Sequence, residues 1–472
     1  MDVCSIDPRR PGVHEFPNWI CVSKGPDSPI LVANTGPAEP EIFYSLKDSC
    51  LTLSCTPELL AEQSLRPRTA ALVNYLRFGW IAPPETLWTG IGVLSAGWKL
   101  SWNGARWQMD SSFRPQRFER KNTEDPRALL NVLEETILSE NSAKPAVALS
   151  TGIDSLSIAI LLRRAGCMLA LTFSSDQPQD ESLLVERIAR TLDFDLEIVR
   201  KPRTDLIDTL TQLASVLAQP VGDPVLLPHL WIARHAADRG VSTLLTGDGA
   251  EGLLGEFYFK PSHLVKESCK LPSKASFYWF GYELQMSDGE VKESFTPDAQ
   301  ENVDCCIAES NRVERLHQAL CKSDILLGGG SFDFHWWMPG NIWRRNRAVA
   351  LLSGLSTRCP FAELGQRTLP FALRRPSISD EPKRLLREAL REQLGQYAFE
   401  PKRSFSVPVF LWLEENRKRV DDLLKALPEL TQGQLKSTSL ESLGKRISPR
   451  ATFALVSLAC FLRTRVTTNS RF

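Results

Sequence analysis

Residues 145–164 read PAVALSTGIDSLSIAILLRR, and this stretch sets the expected fold class. The apolar run at 146–149 predicts a short buried strand, and the apolar residues of 156–164 predict a helix. Between them lies a polar turn, STGIDS, at residues 150–155. A buried strand that passes through a tight polar turn directly into a helix is typical of α/β proteins.

The same alternation continues toward the C-terminus. Strands are predicted at 169–173, 196–199 and 241–245, and helices at 181–192, 206–217 and 226–237. Strands that alternate with helices in this way predict an α/β fold with a doubly wound parallel sheet. Ligands of such sheets bind at the carboxyl ends of the strands, so the turn at 150–155 is a candidate ligand site.

Composition excludes several classes of function. Lysine plus arginine and aspartate plus glutamate both number 56, so there is no bulk charge to attract nucleic acid. We expect no integral membrane segment and no secretory signal, because no apolar run approaches the required length. The 11 cysteines show no metal-binding spacing, and reduced thiols in a cytoplasmic protein are expected.

The turn at 150–155 has the chemistry of a pyrophosphate cradle. Backbone N–H groups and a helix N-terminus would point at one spot, and the serine hydroxyls would add donors. Asp154 would repel bare phosphate, so its natural role is to hold a Mg²⁺ ion that bridges to phosphate. The alternative is an N-capped strand-to-helix turn without a ligand.

Two further segments carry candidate functional residues. The segment TGDGAEGLLG at 246–255 follows the predicted strand at 241–245 and places Asp248 and Glu251 at a second strand end. The segment EPKRSFSVP at 400–408 contains Lys402, and KRLLR at 383–387 precedes it. The alternatives are a glycine-rich turn at a helix start and an ordinary surface lysine.

In this order, the three segments resemble the SGGxDS, TGDGGDELFGG and PKxGFxVP motifs of the asparagine synthetase B family of N-type ATP pyrophosphatases. The chain departs from the family pattern at Thr151, Glu251 and Gly252, where the family has glycine, aspartate and glutamate. The resemblance implies an adenine nucleotide alpha hydrolase-like ATP pyrophosphatase domain with ATP and Mg²⁺ as cofactors.

The resemblance also implies roles for individual residues. Asp154 and Glu251 are expected to hold Mg²⁺, and Lys402 is expected to contact the triphosphate and the charge of the acyl transition state. Asp248 is expected near the attacking amine, and it is a candidate base if burial raises its pKa. The residues expected to bind ATP are Ser150, Thr151, Gly152, Asp154, Ser155, Gly247, Gly249 and Lys383.

The N-terminal region has a different character. Residues 1–115 are rich in short β-like runs, and WKLSW and ARWQM flank Asn103-Gly104, which predicts a hairpin with a type I′ turn. The resemblance implies a degenerate amidotransferase-like domain at 1–115, followed by a synthetase domain at 126–472. Residue 2 is Asp2 where glutamine-using members have a cysteine with a free α-amine, so we expect no glutamine hydrolysis.

If ammonia does not come from glutamine, a substrate must supply the amine. The resemblance then implies a lasso-peptide macrolactam synthetase, with a precursor peptide as substrate and a leader peptidase as partner. A β-lactam synthetase or an asparagine synthetase-like amide ligase is the alternative, and a non-catalytic relative that binds peptide or nucleotide is another. β-Lactam synthetases often carry tyrosine at the position of Asp248, which counts against that branch.

Overall fold

A computed structural model describes most of the chain. The described residues are 3–6, 12–16, 19–23, 30–34, 41–47, 50–61, 65–95, 98–102, 106–111, 126–139, 144–178, 180–254, 284–323, 325–368, 383–399 and 407–469. The predicted catalytic Lys402, the Asn103-Gly104 turn and Asp2 lie outside them.

Two antiparallel sheets precede residue 112 in the described residues, with strand orders β1-β6-β5-β7 and β2-β3-β4-β8-β9. Their strands are β1 (Val3–Ile6), β2 (Gly12–Phe16), β3 (Trp19–Ser23), β4 (Ile30–Asn34), β5 (Ile42–Lys47), β6 (Cys50–Ser54), β7 (Gly92–Leu94), β8 (Trp98–Trp102) and β9 (Trp107–Ser111). The β-rich character predicted for this region is therefore present.

The predicted hairpin forms, but with a longer connection. Strands β8 and β9 pair in a register that sets Trp102 opposite Trp107. Four residues, 103–106, thus separate the paired ends, whereas a two-residue turn at Asn103-Gly104 would have paired Trp102 with Ala105. The register of the described strands thus differs from the one that a two-residue turn would give, and the turn residues themselves lie outside the described part of the chain.

The central sheet is parallel and has the order β12-β11-β10-β13-β14 in the described part of the chain. Its strands are β10 (Pro145–Ala148), β11 (Leu169–Ser174), β12 (Asp195–Arg200), β13 (Thr243–Leu245) and β14 (Ser356–Arg358). The predicted α/β class and parallel sheet are confirmed. Sequence analysis missed β14, since three residues give too little periodicity to detect. Strands β10 and β13 are direct neighbours, so the turns that follow them meet at one edge.

Helices surround this sheet and form most of the C-terminal half. They are α1 (Thr69–Phe78), α2 (Pro126–Leu138), α3 (Ile153–Arg164), α4 (Ser182–Thr191), α5 (Leu206–Val216), α6 (Leu226–Asp238), α7 (Ala250–Leu254), α8 (Asp288–Ser294), α9 (Pro297–Ser310), α10 (Arg312–Ser323), α11 (Ile325–Phe332), α12 (Trp343–Ser353), α13 (Pro360–Thr368), α14 (Arg384–Ala389), α15 (Arg391–Leu394), α16 (Val409–Glu415), α17 (Arg417–Lys425), α18 (Leu427–Leu430), α19 (Leu440–Gly444) and α20 (Pro449–Asn469). A π-helix, Asp333–Ile342, joins α11 to α12.

The N-terminal helix α1 shares a hydrophobic core with helices from the C-terminal half of the chain. Tyr75 in α1 is fully buried, and its hydroxyl donates to the Ala454 carbonyl of α20 at 2.9 Å. Trp88 stacks on Phe461 of the same helix with ring centroids 5.9 Å apart. The division at residues 115–126 remains a prediction, and these contacts show that residues on its two sides pack together.

A buried histidine predicts how stability depends on pH. Burial lowers the pKa of His317 in α10 from 6.5 to about 3. As the pH falls below 6.5, His317 becomes protonated in the unfolded chain, whereas in the folded chain it stays neutral until about pH 3. The free energy of unfolding should therefore fall through this window, by on the order of 5 kcal/mol for this one group.

The His317→Gln variant isolates this contribution, because other buried histidines titrate in both proteins. Urea unfolding at a series of pH values should give a shallower acid slope for His317→Gln than for the parent protein. Arg315→Gln is the control, because this residue is exposed and lies in the same helix. Identical slopes for His317→Gln and the parent would contradict the assignment.

Candidate active site

The turn after β10 holds itself together with side-chain hydrogen bonds. Ser150 N–H donates to Ser155 Oγ at 3.0 Å, and Gly152 N–H donates to Ser150 Oγ at 3.2 Å. Thr151 donates to Glu181 Oε2 from both its backbone N–H, at 3.2 Å, and its hydroxyl, at 2.7 Å. Three amides that we expected to face phosphate are thus bonded within the protein.

Thr151 replaces the glycine of the family motif without strain. No residue of 150–155 has a positive φ, and Gly152 itself has φ −75°. A Cβ at residue 151 is therefore tolerated, and its hydroxyl anchors the turn to Glu181 at the start of α4. Thr151 therefore stabilises the turn through a side-chain hydrogen bond that glycine could not make. The backbone of the turn has a conformation that residues with a Cβ adopt without strain.

The glycine-rich loop after β13 lies directly against this turn. A Cβ added to Gly247 would lie 2.9 Å from Asp154 Cβ and 3.0 Å from Ser155 N, closer than packing allows. Gly249 has φ +95°, and a Cβ there would lie 2.8 Å from Ala362 N. The two predicted ATP-binding segments are therefore brought into contact, and glycine is needed at both positions of the loop.

The contact at Gly247 yields a direct prediction. Gly247→Ala should push the two loops apart and weaken ATP binding about tenfold or more, because a misplacement near 1 Å at such a site can cost about 10²-fold in rate. Isothermal titration with Mg·ATP would measure the effect. Gly289→Ala is the control, since nothing lies within 4 Å of its added Cβ. Equal affinities for the two variants would show that the close approach does not matter.

Lys383 joins the two loops through their acidic residues. Its Nζ donates to Asp154 Oδ2 at 2.5 Å and to Glu251 Oε1 at 2.9 Å. The three side chains are 8%, 7% and 20% exposed, respectively, so the ion pairs are largely desolvated. Lys383 has φ +59°, which for a residue with a Cβ costs about 1–3 kcal/mol and is typical of functional sites.

This arrangement fits a divalent cation bound together with phosphate. The Lys383 ammonium already shows that one cation can contact Asp154 and Glu251 at the same time. Within the described residues, no group of three or more histidines, cysteines or acids could hold a metal. Mg²⁺ needs no such group, because it commonly binds one or two carboxylates and takes its remaining ligands from water and phosphate.

Asp333 is an acidic neighbour that sequence analysis missed. A Cβ added to Gly252 would lie 3.1 Å from Asp333 Oδ2, so the two residues are in contact. Burial, and then repulsion from Glu251, raises the pKa of Asp333 well above its usual range. A side chain at 252, such as the glutamate of the family motif, would require Asp333 to shift. The π-helix that carries Asp333 has no sequence signature that could have revealed it.

Asp248 belongs to a second polar cluster, beside the first. Arg345 donates from Nη2 to Asp248 Oδ2 at 3.1 Å and from Nη1 to Asp223 Oδ2 at 3.2 Å. Thr246 Oγ1 donates to Asp248 Oδ2 at 2.8 Å. Arg345 therefore holds the two carboxylates beside each other, and the role of Asp248 near the attacking amine remains a prediction.

His229, at the first turn of α6, faces this second cluster. Desolvation, and then the charge of Arg345, lowers the pKa of His229 from 6.5 to about 4 against the opposing pull of Asp248, Asp223 and Asn346. The imidazole is therefore neutral at physiological pH. Neither His229 nor Arg345 was predicted as a site residue, and scattered histidines gave no signal in the sequence.

Comparisons with known proteins can be set against this geometry. A family model described as Asparagine synthase matches residues 135–453. A Mycobacterium bovis protein, provisionally described as a glutamine-hydrolyzing asparagine synthetase, is 24% identical over 401 residues. Proteins from two Mycobacterium tuberculosis strains carry the same description and identity. The matches cover 73% of this chain and 58% of each relative.

None of the helices in the described residues is long and apolar enough to cross a bilayer.

Proposed function

The chain belongs to the asparagine synthase family, and from that premise we propose that it is an ATP-dependent amide ligase that closes a ring in a peptide. In this proposal, the side-chain carboxylate of an Asp or Glu in a precursor peptide is adenylated. The peptide's own N-terminal amine then attacks, which releases AMP and leaves a macrolactam, as in lasso-peptide biosynthesis. A leader peptidase would first free that amine.

One observation carries the ligase proposal: Lys383 contacts both Asp154 and Glu251 where two adjacent strands end. Two carboxylates and a lysine that converge on one point, beside the N-terminus of α3, suit a magnesium-bound triphosphate. Asp154 and Glu251 would hold Mg²⁺ when ATP is bound, and the Lys383 ammonium would then contact the phosphates. When bound, the ion would neutralise charge on the leaving pyrophosphate.

The remaining residues of the turn have supporting roles in this proposal. The backbone N–H groups of Ser150, Thr151 and Gly152 donate hydrogen bonds to side chains within the protein. We propose that phosphate contacts come from the first-turn amides of α3, near Asp154 and Ser155, as at other helix N-termini. Gly247 and Gly249 let the second loop approach closely enough to close the site. Lys402 remains the proposed contact to the acyl transition state.

The choice of an amine from the substrate rests on the N-terminal region. Cys4 lies inside β1 and Cys21 inside β3, where the backbone nitrogen of each is a peptide amide and not the free α-amine that a glutaminase nucleophile needs. Attack by an amine of the same molecule also benefits from positioning, since holding the amine next to the acyl carbon can lower the barrier by roughly 7–11 kcal/mol. A site with few acid–base groups would suffice if the substrate arrives folded.

A second candidate is an asparagine synthetase-like ligase that uses a free amino acid. The descriptions of the mycobacterial relatives favour it, and the geometry of the Asp154–Lys383–Glu251 site serves either reaction. A β-lactam synthetase-like reaction is the third branch of the same chemistry. The non-catalytic alternative was suggested by Thr151, Glu251 and Gly252, but Thr151 and Gly252 are both accommodated by local contacts.

The test separates adenylation from the identity of the substrate. Exchange of pyrophosphate into ATP should appear only with Mg²⁺ and an acceptable carboxylate. Candidates are linear peptides with a free α-amine and one Asp or Glu, compared with aspartate plus ammonia. Mass spectrometry should then show a peptide that has lost one water, together with AMP. Product from aspartate but from no peptide would favour the second candidate. Absence of exchange with every carboxylate would support the non-catalytic reading.

A further inference from the structure

We propose that Asp223, Asp248 and His229 form the subsite that receives the acceptor amine as an ammonium ion, and that the His229 imidazole takes its proton. This inference rests on the ligase proposal and names the group that activates the nucleophile. The three side chains come from the segment before α6, from α6 itself and from the loop after β13. They meet beside the loop that carries Glu251.

The charge of the cluster suits a cation. Two carboxylates, Asp223 and Asp248, share the single guanidinium of Arg345, and His229 is neutral. The cluster therefore carries one net negative charge. Arg345 is 3% exposed and bonded to both acids, so it fixes their positions.

Access to solvent distinguishes the three proposed residues from Arg345. Asp223, His229 and Asp248 are each partly exposed, and the side chains of the two acids are 14% and 25% exposed. A ligand can therefore reach them, while the arginine behind them cannot be reached in the same way. Arg345 thus acts as a positioning residue rather than as a binding group.

The proton transfer conserves charge inside the subsite. The ammonium gives one proton to a ring nitrogen of His229, and the imidazolium that forms is stabilised by the same two carboxylates. The freed lone pair forms the new C–N bond at the acyl carbon of the adenylate. The C–O bond to AMP then breaks, and its electron pair leaves on the phosphate oxygen. That oxygen takes the second proton from the nitrogen.

Total positive charge in the subsite is the same before and after the first transfer, so no new charge is created in a desolvated space.

Asn346 and Cys359 are buried beside this cluster. Asn346 Nδ2 donates to Cys359 Sγ at 3.1 Å, and Cys359 Sγ also contacts Thr246 Oγ1 at 3.3 Å. Asn346 further hydrogen-bonds with the His229 side chain, which orients the ring. Burial raises the pKa of the Cys359 thiol far above its usual range, so it stays protonated and does not compete as a base.

The experiment compares two nucleophiles on the same acyl-adenylate. Hydroxylamine is largely unprotonated at neutral pH, so its reaction with the adenylate needs no base, whereas the natural amine arrives protonated. His229→Gln should lower kcat for amide formation by roughly 10²-fold, with a small change in KM. Hydroxamate formation and pyrophosphate exchange should stay near the wild-type rates. A higher pH should partly restore amide formation, because more of the amine is then already free of its proton.

The control is His235→Gln, in the same helix. The His235 ring is 39% exposed and contacts Glu197, away from the cluster. This variant should behave as wild type in both assays. Asp223→Asn, a second variant, should raise KM for the amine more than it lowers kcat.

The possible outcomes separate the two proposals. If the wild-type protein forms no hydroxamate with any carboxylate, the ligase proposal fails, and the amine subsite fails with it. If the wild type forms hydroxamate but His229→Gln makes amide at the wild-type rate, only the role of His229 is overturned. Equal loss of hydroxamate and amide in a folded His229→Gln variant would also overturn it, because that result indicates a structural role.

Discussion

Asp154→Asn is expected to lower kcat/KM of the ATP-dependent reaction by roughly 10²–10³-fold, the usual loss when one preorganised electrostatic group is removed from a site. Asparagine keeps the shape of the side chain and removes its charge. The Asp154 side chain is 7% exposed and shares a cation with Glu251, so solvent cannot replace that charge. The Mg²⁺ concentration that gives the half-maximal rate should rise in parallel.

Pyrophosphate exchange at a series of Mg²⁺ concentrations would measure both effects. Asp195→Asn is the matched control. Asp195 is exposed and lies at the start of strand β12 of the same sheet, whereas Asp154 follows the end of strand β10. Glu251→Gln and the variant that combines Asp154→Asn with Glu251→Gln complete a double-mutant cycle. Because both acids are proposed to hold one ion, the double variant should lose much less than the product of the single losses. Simple multiplication of the two losses would indicate that the residues act separately.

The regular part of the fold was predictable from local sequence. Helix α2 has Leu129, Leu133 and Ile137 at helical spacing, and all three are buried. The strands that lead into the two candidate loops were predicted within two residues of their observed bounds. Hydrophobic periodicity reports burial of one face, so it works where an element packs on a single neighbour.

Parts that depend on distant neighbours were not predictable. Strand β14 has three residues and is defined by its pairing with β13, about a hundred residues earlier in the chain. Asp333 lies near Glu251 through the π-helix, and Arg345 joins Asp223 to Asp248 from a different helix. A motif indicates which residues share a loop, but it contains no information about side chains that approach that loop from elsewhere.

The same limit applies to the predicted role of Lys383. Its motif placed it among the ATP-binding residues, and its sequence neighbours gave no reason to pair it with Asp154 and Glu251. Only the fold shows that it contacts both acids at once. We therefore propose two tasks for Lys383. In the absence of ATP it is the counter-ion of Asp154 and Glu251, and when ATP is bound it contacts the phosphates. Replacing it tests both.

Lys383→Met should lower the free energy of unfolding by about 3–5 kcal/mol, the cost of removing one partner from a buried ion pair. Methionine keeps much of the volume of the side chain, but it leaves Asp154 and Glu251 facing each other without a cation. Urea unfolding without Mg²⁺ would measure this loss. The exposed Lys445, paired with Glu441, provides the control: Lys445→Met should cost about 1 kcal/mol or less.

Magnesium should separate the two tasks of Lys383. If Mg²⁺ binds between the same two carboxylates, it can replace the missing ammonium, and saturation to about 100 times its dissociation constant would restore about 2.7 kcal/mol. The parent protein should gain much less from Mg²⁺ alone, because its ammonium already contacts both acids. Turnover should stay low in Lys383→Met even at high Mg²⁺, since the proposed phosphate contact is still absent. If stability of the variant does not respond to Mg²⁺, these carboxylates are not the metal site, and ATP must be held in another way.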